Sequence, residues 1–368
     1  MGAYVFRFAP RKQTQAGHAA ISVSCRFRKS PQWLGCAILR PRGVFLRRRD
    51  FSILIGGAAL WPLMAHAQDS RAVPRVGVIW PGLTPPQPPR MDAFAQGLRE
   101  SGFTPGKDVL IELRYGAKDV QEFRSLVDEL VRMKAALIVT FGDFAPKTVQ
   151  ETNSTIPIVA MSDDLLGSGL ITSLSRPGGN TTGLTIQSPE LSAKRLELLT
   201  HILPGISRVA AIWDPTTGVS QVSMTEQAAR GLKIKVQVLE VRRREDLPGA
   251  FLAAKAEKAQ ALNVFSSPFL SSISQEILDG AAENRLPAIY QWREHAEAGG
   301  LISYGPSLAE LWRQAATIAA KILKGAKPSD LPVEQPTKFE MIVNAKTAAS
   351  LGITIPPDVL LRSDVVID

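Results

Sequence analysis

The feature that most constrains the fold is an alternation of short apolar runs and longer amphipathic stretches, which continues from Val76 almost to the end of the chain. Apolar runs of about 4–8 residues are typical of buried strands, and longer stretches with a 3.6-residue period are typical of helices. The predicted strands are 76–80, 109–113, 136–140, 158–161, 209–213, 236–241, 261–265, 288–290, 301–304 and 339–343. The predicted helices are 91–101, 120–133, 145–152, 191–203, 220–231, 247–257, 271–284, 308–323 and 345–351. This order predicts an α/β fold with parallel sheets.

The alternation runs through two similar halves, which a turn-rich segment at 176–180 separates. Each half begins with an apolar strand that leads into a tryptophan and a proline-containing turn, at 76–81 and at 209–215. A chain of 368 residues is also too long for one small core. The sequence therefore predicts two Rossmann-like lobes.

The positive charge of the chain is concentrated near its N-terminus. The net charge is +9, but residues 1–67 contain eleven Lys or Arg and the single acid Asp50, so the remaining residues have a net charge of −1. A basic nucleic-acid groove is therefore not expected, and we predict no nucleic-acid partner.

An export signal accounts for that basic region. Three arginines at 47–49 precede the apolar stretch 51–64, and Ala65-His66-Ala67 is a small-x-small cleavage site. The apolar stretch is shorter than the ~20 residues that span a bilayer, so we expect cleavage after Ala67 and a periplasmic mature protein that starts at Gln68. The Arg48-Arg49-Asp50-Phe51 motif resembles a twin-arginine signal, and an ordinary secretory signal is the alternative. The translation start is expected near Val44.

Few residues of the expected mature chain suit metal or cofactor chemistry. Both cysteines, Cys25 and Cys36, precede the cleavage site, and His201 and His295 have no ligand-spaced partners. The mature sequence has no P-loop, G-x-S-x-G, H-E-x-x-H or complete G-x-G-x-x-G motif. We therefore predict no cofactor, no metal site and no catalytic residues.

Several motifs resemble one protein family. They include the phrases at 75–78, 174–183, 298–305, 322–328 and 331–339 and the ending 351–357. They resemble the ABC transporter substrate-binding proteins related to the tryptophan or aromatic amino-acid binding type, in register from Arg75 to Asp368. This resemblance implies a type I periplasmic binding-protein fold with a three-segment hinge and a ligand between the lobes. The implied lobes are residues 68–184 with 304–334, and residues 185–303 with 335–368.

The resemblance also implies the partners. They are a small-molecule ligand, an amino acid or a related organic solute, and the permease and ATPase subunits of an ABC uptake transporter. The mature protein is expected to be a monomer that does not span the membrane.

In the first lobe, the loops that follow the carboxyl ends of strands are the expected binding loops. They contain Trp80, Pro81 and Gly82, then Gly142, Asp143 and Phe144, then Asp163 and Asp164. The second loop precedes a helix, whose first N–H groups suit a ligand carboxylate. A carboxylate at 163 or 164 suits a ligand ammonium, and the alternative is that either aspartate caps a turn.

In the second lobe, the corresponding loops supply Trp213, Asp214, Ser266, Ser267, Tyr290 and Trp292, and Tyr304 lies near a lobe crossing. The tryptophans at 80, 213 and 292 can form flat walls around an aromatic ligand, and burial in a core or hinge is the alternative. Tyr304 is equally compatible with hinge packing. The three arginines at 242–244 are expected to be solvated.

These features predict reversible capture of a solute by lobe closure rather than an enzymatic activity. The alternatives are a ligand-sensing receptor subunit with the same fold and a two-lobed transferase that uses an activated sugar.

Overall fold

The structure of the chain is a computed structural model, which describes residues 73–82, 85–86, 88–117, 119–153 and 155–368. The predicted signal peptide, its cleavage site after Ala67 and the expected mature start at Gln68 lie outside the described residues. Within the described ranges, no helix combines the length and the apolar character needed to cross a membrane.

Strands and helices alternate through the described residues, largely as predicted. The strands are β1 Arg75–Trp80, β2 Leu110–Tyr115, β3 Leu137–Phe141, β4 Ile158–Ser162, β5 Thr181–Thr185, β6 Arg208–Trp213, β7 Lys235–Glu240, β8 Ala261–Val264, β9 Ala288–Tyr290, β10 Ile302–Gly305, β11 Glu340–Asn344 and β12 Val365–Ile367. The helices are α1 Pro88–Glu100, α2 Val120–Arg132, α3 Phe144–Thr152, α4 Ser188–Ile202, α5 Ser220–Leu232, α6 Leu247–Ala256, α7 Pro268–Ser272, α8 Ser274–Glu283, α9 Arg293–Glu297, α10 Leu308–Leu323, α11 Ala345–Leu351 and α12 Pro357–Arg362.

The strands form two sheets with the same internal order. The five-stranded sheet has the order β2-β1-β3-β4-β5, and the first five strands of the seven-stranded sheet have the equivalent order β7-β6-β8-β9-β10. We call the first sheet with its packed helices lobe 1, and the second sheet with its helices lobe 2. The predicted α/β fold with two Rossmann-like lobes is confirmed.

The second sheet departs from the parallel arrangement at one pair of strands. After β10, two further strands follow at the edge, and β11 pairs with β10 in the antiparallel direction. The chain leaves lobe 2 at the end of β10, forms α10, and re-enters lobe 2 at β11. Because it re-enters beside the end at which it left, β11 runs back along β10.

Lobe 1 has helices on both faces of its sheet. Val76 and Val78 pack in one cluster with residues of α1 and α10, whereas Ile79 packs in a second cluster with Phe123 of α2. Successive side chains of a strand point to opposite faces, so a strand that is covered on both sides must be apolar throughout. This requirement explains the unbroken apolar run that begins the lobe.

The chain crosses between the lobes three times, after β5, after β10 and before β11. At the last crossing, the backbone at Glu334 pairs with β5, with a nitrogen-to-oxygen distance of 2.9 Å to Gly183. Gly183 has a φ of +146°, and a Cβ there would lie 1.9 Å from the carbonyl oxygen of Ala160. Only glycine fits this position, which lies immediately before the first crossing.

Candidate ligand-binding site

The carboxyl ends of strands from both lobes border one cavity. Trp80 ends β1, Phe141 ends β3 and Asp163 follows β4 in lobe 1, while Ser266 and Ser267 follow β8 in lobe 2. We call this space the inner cavity. It encloses about 380 Å³ of empty volume, including open solvent at its mouth. The centre of a water-sized molecule can occupy only about 30 Å³ of this space, which is room for a small group of a ligand and not for a whole amino acid.

Aromatic rings form one wall of the inner cavity. Phe141 stacks on Trp312 of α10 with a centroid distance of 4.2 Å, and Trp80 lies 5.3 Å from Phe141 and 6.1 Å from Trp312. Trp292 also lines the cavity, although it follows β9 in lobe 2, and it packs in the core cluster of lobe 1. The wall therefore offers large apolar rings that suit a flat or apolar ligand.

Asp163 is a nearly fully buried carboxylate at the inner cavity, with 3% of its surface exposed. Its Oδ1 accepts a hydrogen bond of 2.5 Å from the hydroxyl of Ser188, the first residue of α4. Burial raises the pKa of Asp163 to about 6, whereas hydrogen bonds from Ser188 and Ser266 and the charge of Arg195 act in the opposite direction. The carboxylate is thus held by hydroxyl groups and lies near a buried guanidinium.

A second buried carboxyl, Asp143, lies at the start of α3. Ser162 donates a hydrogen bond to its Oδ1. Burial and the charge of Asp163 raise the pKa of Asp143 to about 8. Without a ligand, this pair of carboxyls therefore holds a proton to higher pH than exposed aspartates do. An ammonium group placed between them would stabilise the ionised forms of both.

Arg195 and His295 lie behind the cavity in lobe 2. Arg195 of α4 is fully buried, and its guanidinium donates to the hydroxyl of Ser192 at 2.8 Å. Burial lowers the pKa of Arg195 to about 9, so it stays cationic at neutral pH. Burial and the charge of Arg90 lower the pKa of His295 to about 4, so its ring is neutral there.

Arg90, in the first turn of α1, is the second charged side chain that lines the inner cavity. It is 7% exposed, and its guanidinium carbon lies 5.4 Å from the centroid of the Trp80 ring. Burial lowers the pKa of Arg90, and the charge of Glu294 opposes that shift. The cavity therefore combines a buried cation and a buried anion with apolar walls.

Asp214 and Ser267, two polar residues of lobe 2 at the cleft, have partners within their own lobe. Asp214 accepts hydrogen bonds from the backbone nitrogen and hydroxyl of Thr216 at 2.9 and 2.8 Å, and from the hydroxyl of Ser267 at 2.5 Å. Ser267 also caps α7, and the backbone of Ser266 bonds to the side chain of Gln221. Asp214 thus contributes to a closed network rather than an open binding group.

A wider space, which we call the outer cleft, adjoins the inner cavity, and both are lined by Phe141, Gly142 and Pro268. Its empty volume is about 1670 Å³, including open solvent. Gly142 has a φ of +76°, and a Cβ there would lie 3.1 Å from Cγ of Pro268 in the other lobe. The outer cleft is also bordered by Pro81, Asp143, Phe144, Asp214 and the three arginines at 242–244.

Five of the predicted residues border neither space. Asp164 accepts a 2.8 Å hydrogen bond from the backbone nitrogen of Gly167, so it caps a turn. Trp213 donates from Nε1 to the carbonyl of Gly218 at 2.9 Å. Tyr290 is buried in the lobe 2 core against His295, and Tyr304 stacks on Phe339 at 6.1 Å. Gly82 is buried under Trp80, where an added Cβ would meet the indole nitrogen.

The sequence analysis missed several residues of the inner cavity. Arg90 and Trp312 lie on helices rather than on loops after strands, so the strand-end rule does not select them. Phe141 immediately precedes Gly142, the first predicted binding residue of its loop, and was not itself predicted to bind the ligand. For Arg90, the available signal was an arginine immediately before the predicted helix 91–101.

The described residues offer no group of three or more His, Cys, Asp or Glu that could hold a metal ion. The site instead contains buried charged side chains, Arg90 and Asp163, beside aromatic walls.

Comparison with known proteins assigns the chain to a family. The sequence profile of the ABC transporter substrate binding protein family matches residues 84–367, which is most of the chain. The chain belongs to this family. A protein named tyrosine-binding protein from Clostridioides difficile (strain R20291) is 24% identical over 264 residues, which cover 71% of this chain and 75% of that protein.

Solved structures share the fold of this ABC transporter substrate-binding protein. An ABC domain from Streptococcus pneumonia in complex with L-Trp has a TM-score of 0.72 and 22% identity over 80% of this chain and 99% of that chain. The ligand-free, open structure of a substrate-binding protein with adhesive properties from Clostridium difficile has a TM-score of 0.57 at the same identity and coverage. The predicted family and its function class, solute binding, are confirmed.

Proposed function

We propose that this chain is the periplasmic binding subunit of an ABC uptake transporter and that it captures an aromatic or large apolar amino acid across the adjoining inner cavity and outer cleft. The observation that carries the proposal is a single cavity with the rings of Trp80, Phe141 and Trp312 on its wall and the carboxylate of Asp163 beside them. Rings of this kind accept an apolar side chain, and a buried carboxylate suits an ammonium group. The ligands named for the relatives above support the same ligand class.

Capture would proceed by closure of the two lobes, with the described conformation as the closed form. Three observations support this. Gly142 of lobe 1 lies close to Pro268 of lobe 2, Trp292 of lobe 2 packs in the lobe 1 core, and both lobes line the inner cavity. Ligand binding would stabilise this arrangement relative to an open one, because both lobes contact the ligand only when they are closed.

The remaining predictions belong to the same proposal. The protein would be exported by its N-terminal signal, cleaved after Ala67, and would deliver its ligand as a monomer to a permease that an ATPase drives. The buried aspartates would serve recognition and not catalysis. The lobes would move as two units close to the predicted 68–184 with 304–334 and 185–303 with 335–368, except that Thr185 stays with β5 in lobe 1 and residues 304 and 305 stay with β10 in lobe 2.

Isothermal titration calorimetry of the 68–368 protein against the twenty L-amino acids, small organic acids, sugars and nucleosides tests the proposal. We expect binding of one or more of the amino acids Trp, Tyr and Phe, with weaker or undetectable binding of the sugars and nucleosides. Tight binding of a sugar or nucleoside alone, or turnover of an activated sugar, would overturn it.

A matched pair of tryptophan variants locates the site. Trp80→Ala is expected to weaken binding by about 10-fold or more, because it removes a ring from the cavity wall. Trp213→Ala removes a ring of the same size from outside both spaces and is expected to leave affinity within about 3-fold. Equal losses in both variants would argue against the inner cavity as the site.

A further inference from the structure

Arg90 presents a buried guanidinium that the described part of the chain leaves incompletely bonded. It lines the inner cavity with 7% of its surface exposed, and no described residue accepts a hydrogen bond from its buried Nε. Its guanidinium carbon lies over the face of the Trp80 ring, 5.4 Å from the ring centroid. A buried cationic donor without an acceptor is costly to maintain, so the cavity is prepared for an acceptor that the described residues do not supply.

The nearest compensating charge lies across the cleft. Glu294 of lobe 2 attracts Arg90 electrostatically, yet the described residues contain no direct ion pair between the two side chains. Oε2 of Glu294 is itself buried and without a hydrogen-bond partner among the described residues. The negative charge of Glu294 therefore stabilises the Arg90 guanidinium, but the two side chains are not hydrogen-bonded to each other.

A second unpaired donor lines the same cavity. Trp312 is fully buried, and its Nε1 has no acceptor among the described residues. Arg90 and Trp312 both lie against Trp80. One carboxylate group of the cavity lining, Asp163, has its Oδ1 engaged by Ser188. Two donors thus face the cavity without a described hydrogen bond to Asp163, the carboxylate that lines it.

We infer that Arg90 binds a carboxylate of the ligand, with the Trp312 indole as a second donor, so that this chain selects solutes that carry a carboxylate group. A planar guanidinium is well suited to a carboxylate, and charge-assisted hydrogen bonds are strong where water is excluded. The inference rests on the proposed function and adds to it the group that distinguishes an amino acid from an amine of the same shape.

The start of α3, which the sequence analysis favoured for a ligand carboxylate, is less suitable. Asp143 immediately precedes that helix, and its carboxyl makes no capping bond to α3 but accepts a hydrogen bond from Ser162 beside the helix start. A ligand carboxylate at the same place would meet another acid and the nearby Asp163. The structure therefore assigns acid recognition to α1 and α10, and the paired aspartates to the amino group.

A competing role for Arg90 is to hold the lobes together through Glu294. In that role, loss of Arg90 would weaken the binding of every ligand equally, because closure serves all of them. In the recognition role, the loss falls only on ligands with a carboxylate. The two roles therefore predict different changes in the ratio between the affinity for a ligand with a carboxylate and the affinity for a matched ligand without one. Neither affinity alone distinguishes them.

The test is calorimetric titration with two probe pairs, L-tryptophan with L-tryptophanamide and L-tyrosine with L-tyrosinamide. We expect the wild-type protein to prefer the carboxylate of at least one pair by about 10- to 100-fold, a comparison that needs no folded variant. In Arg90→Gln the preference is expected to fall below about 3-fold, while Arg99→Gln on the same helix retains it.

Each other outcome has a definite meaning. Equal binding of acid and amide by the wild type, or a preference that persists in Arg90→Gln, would overturn the inference and leave the proposed function standing. Equal weakening of acid and amide in Arg90→Gln, reproduced in Glu294→Gln, would show that Arg90 holds the lobes together and overturn it likewise. Binding of neither pair, nor of any other amino acid, would overturn the proposed function and the inference with it.

Discussion

The two lobes have the same strand order but differ in the state of their polar groups at the cleft. In lobe 2, Asp214 and Ser267 are bonded to each other and to neighbouring groups of their own lobe. In lobe 1, Arg90 lacks an acceptor for Nε, and Asp163 takes hydrogen bonds from Ser188, at the crossing between the lobes, and from Ser266 of lobe 2. The contrast concerns these residues and not every group of lobe 2, because Oε2 of Glu294 is also without a partner among the described residues.

This difference indicates that the two regions have different roles in binding. A satisfied network keeps its shape with or without a ligand, whereas incompletely bonded charges gain most when a ligand arrives. The region of Arg90 and Asp163 in lobe 1 therefore has the features of a recognition site, and the Asp214 network of lobe 2 those of a rigid support.

The largest expected effect is on affinity, from Asp163→Asn in lobe 1. Loss of a buried charge that pairs with an ammonium group should weaken amino-acid binding by at least about 30-fold. The adjacent Asp164→Asn is the control, because that side chain caps a turn, and it should change affinity by less than about 3-fold. Titration calorimetry distinguishes them, and similar affinities for the two variants would remove Asp163 from the site.

The next effect is on stability, from Asp214→Asn in lobe 2. The amide cannot accept hydrogen bonds at both of the original oxygen positions, so one buried donor from Thr216 or Ser267 loses its partner. We expect the free energy of unfolding to fall by about 1–3 kcal/mol, measured by urea denaturation. The exposed Asp279→Asn should stay within about 0.5 kcal/mol of wild type. A large loss of affinity with unchanged stability would mean that lobe 2 also recognises the ligand.

A smaller effect concerns pH and again lies in lobe 1. Unfolded aspartates ionise near pH 4, whereas burial raises the pKa of Asp163 to about 6 and that of Asp143 to about 8. Between about pH 4 and pH 8 the folded state therefore binds more protons than the unfolded state. The free energy of unfolding of the ligand-free protein consequently falls as the pH rises through this range. We expect the Tm to be lower at pH 8 than at pH 5.

The variant that checks this pH effect is Asp143→Asn, which removes the carboxyl with the higher pKa. Its Tm should change less between pH 5 and pH 8 than that of the wild type, as scanning calorimetry can measure. A wild-type Tm that rises over this interval would contradict the predicted direction.

The smallest effect is expected for Tyr304→Phe in lobe 2. The ring that stacks on Phe339 is retained, and so is the backbone carbonyl that accepts from Arg195 at 3.4 Å. Affinity should stay within about 2-fold and stability within about 0.5 kcal/mol of wild type. A marked loss of affinity would place the hydroxyl of Tyr304 in the ligand site.

Most strands and helices were predictable, because buried strands and amphipathic helices leave clear periodic signals. The exceptions are instructive. β5 reads Thr-Thr-Gly-Leu-Thr, which resembles a turn region, yet it is fully buried. The hydroxyl of Thr181 accepts a hydrogen bond from the side chain of Gln150, and the hydroxyl of Thr182 donates one to the carbonyl of Leu331. Partners this remote in sequence cannot be read from a local pattern. The predicted helix 271–284 is likewise two helices, α7 and α8, separated at Ile273.

The candidate site was only partly predictable, and for a related reason. Trp80 and Asp163 follow from the rule that ligands bind beyond the carboxyl ends of parallel strands, a rule that the strand pattern alone supports. Trp213 and Tyr290 satisfy the same rule and nevertheless bond or pack within lobe 2. Which way a side chain turns at a strand end depends on its neighbours in space.

By itself, the sequence determined the α/β class, the division into two lobes and the family, because these depend on periodicity and on motifs that are local in the chain. The tertiary structure decided which charged groups share a cavity. Arg90 of α1 and Trp312 of α10 are far apart in sequence, and they meet at Trp80 only because α10 returns to lobe 1 and packs on α1. Long-range packing sets which buried donors remain without acceptors, and no local pattern in the sequence contains that information.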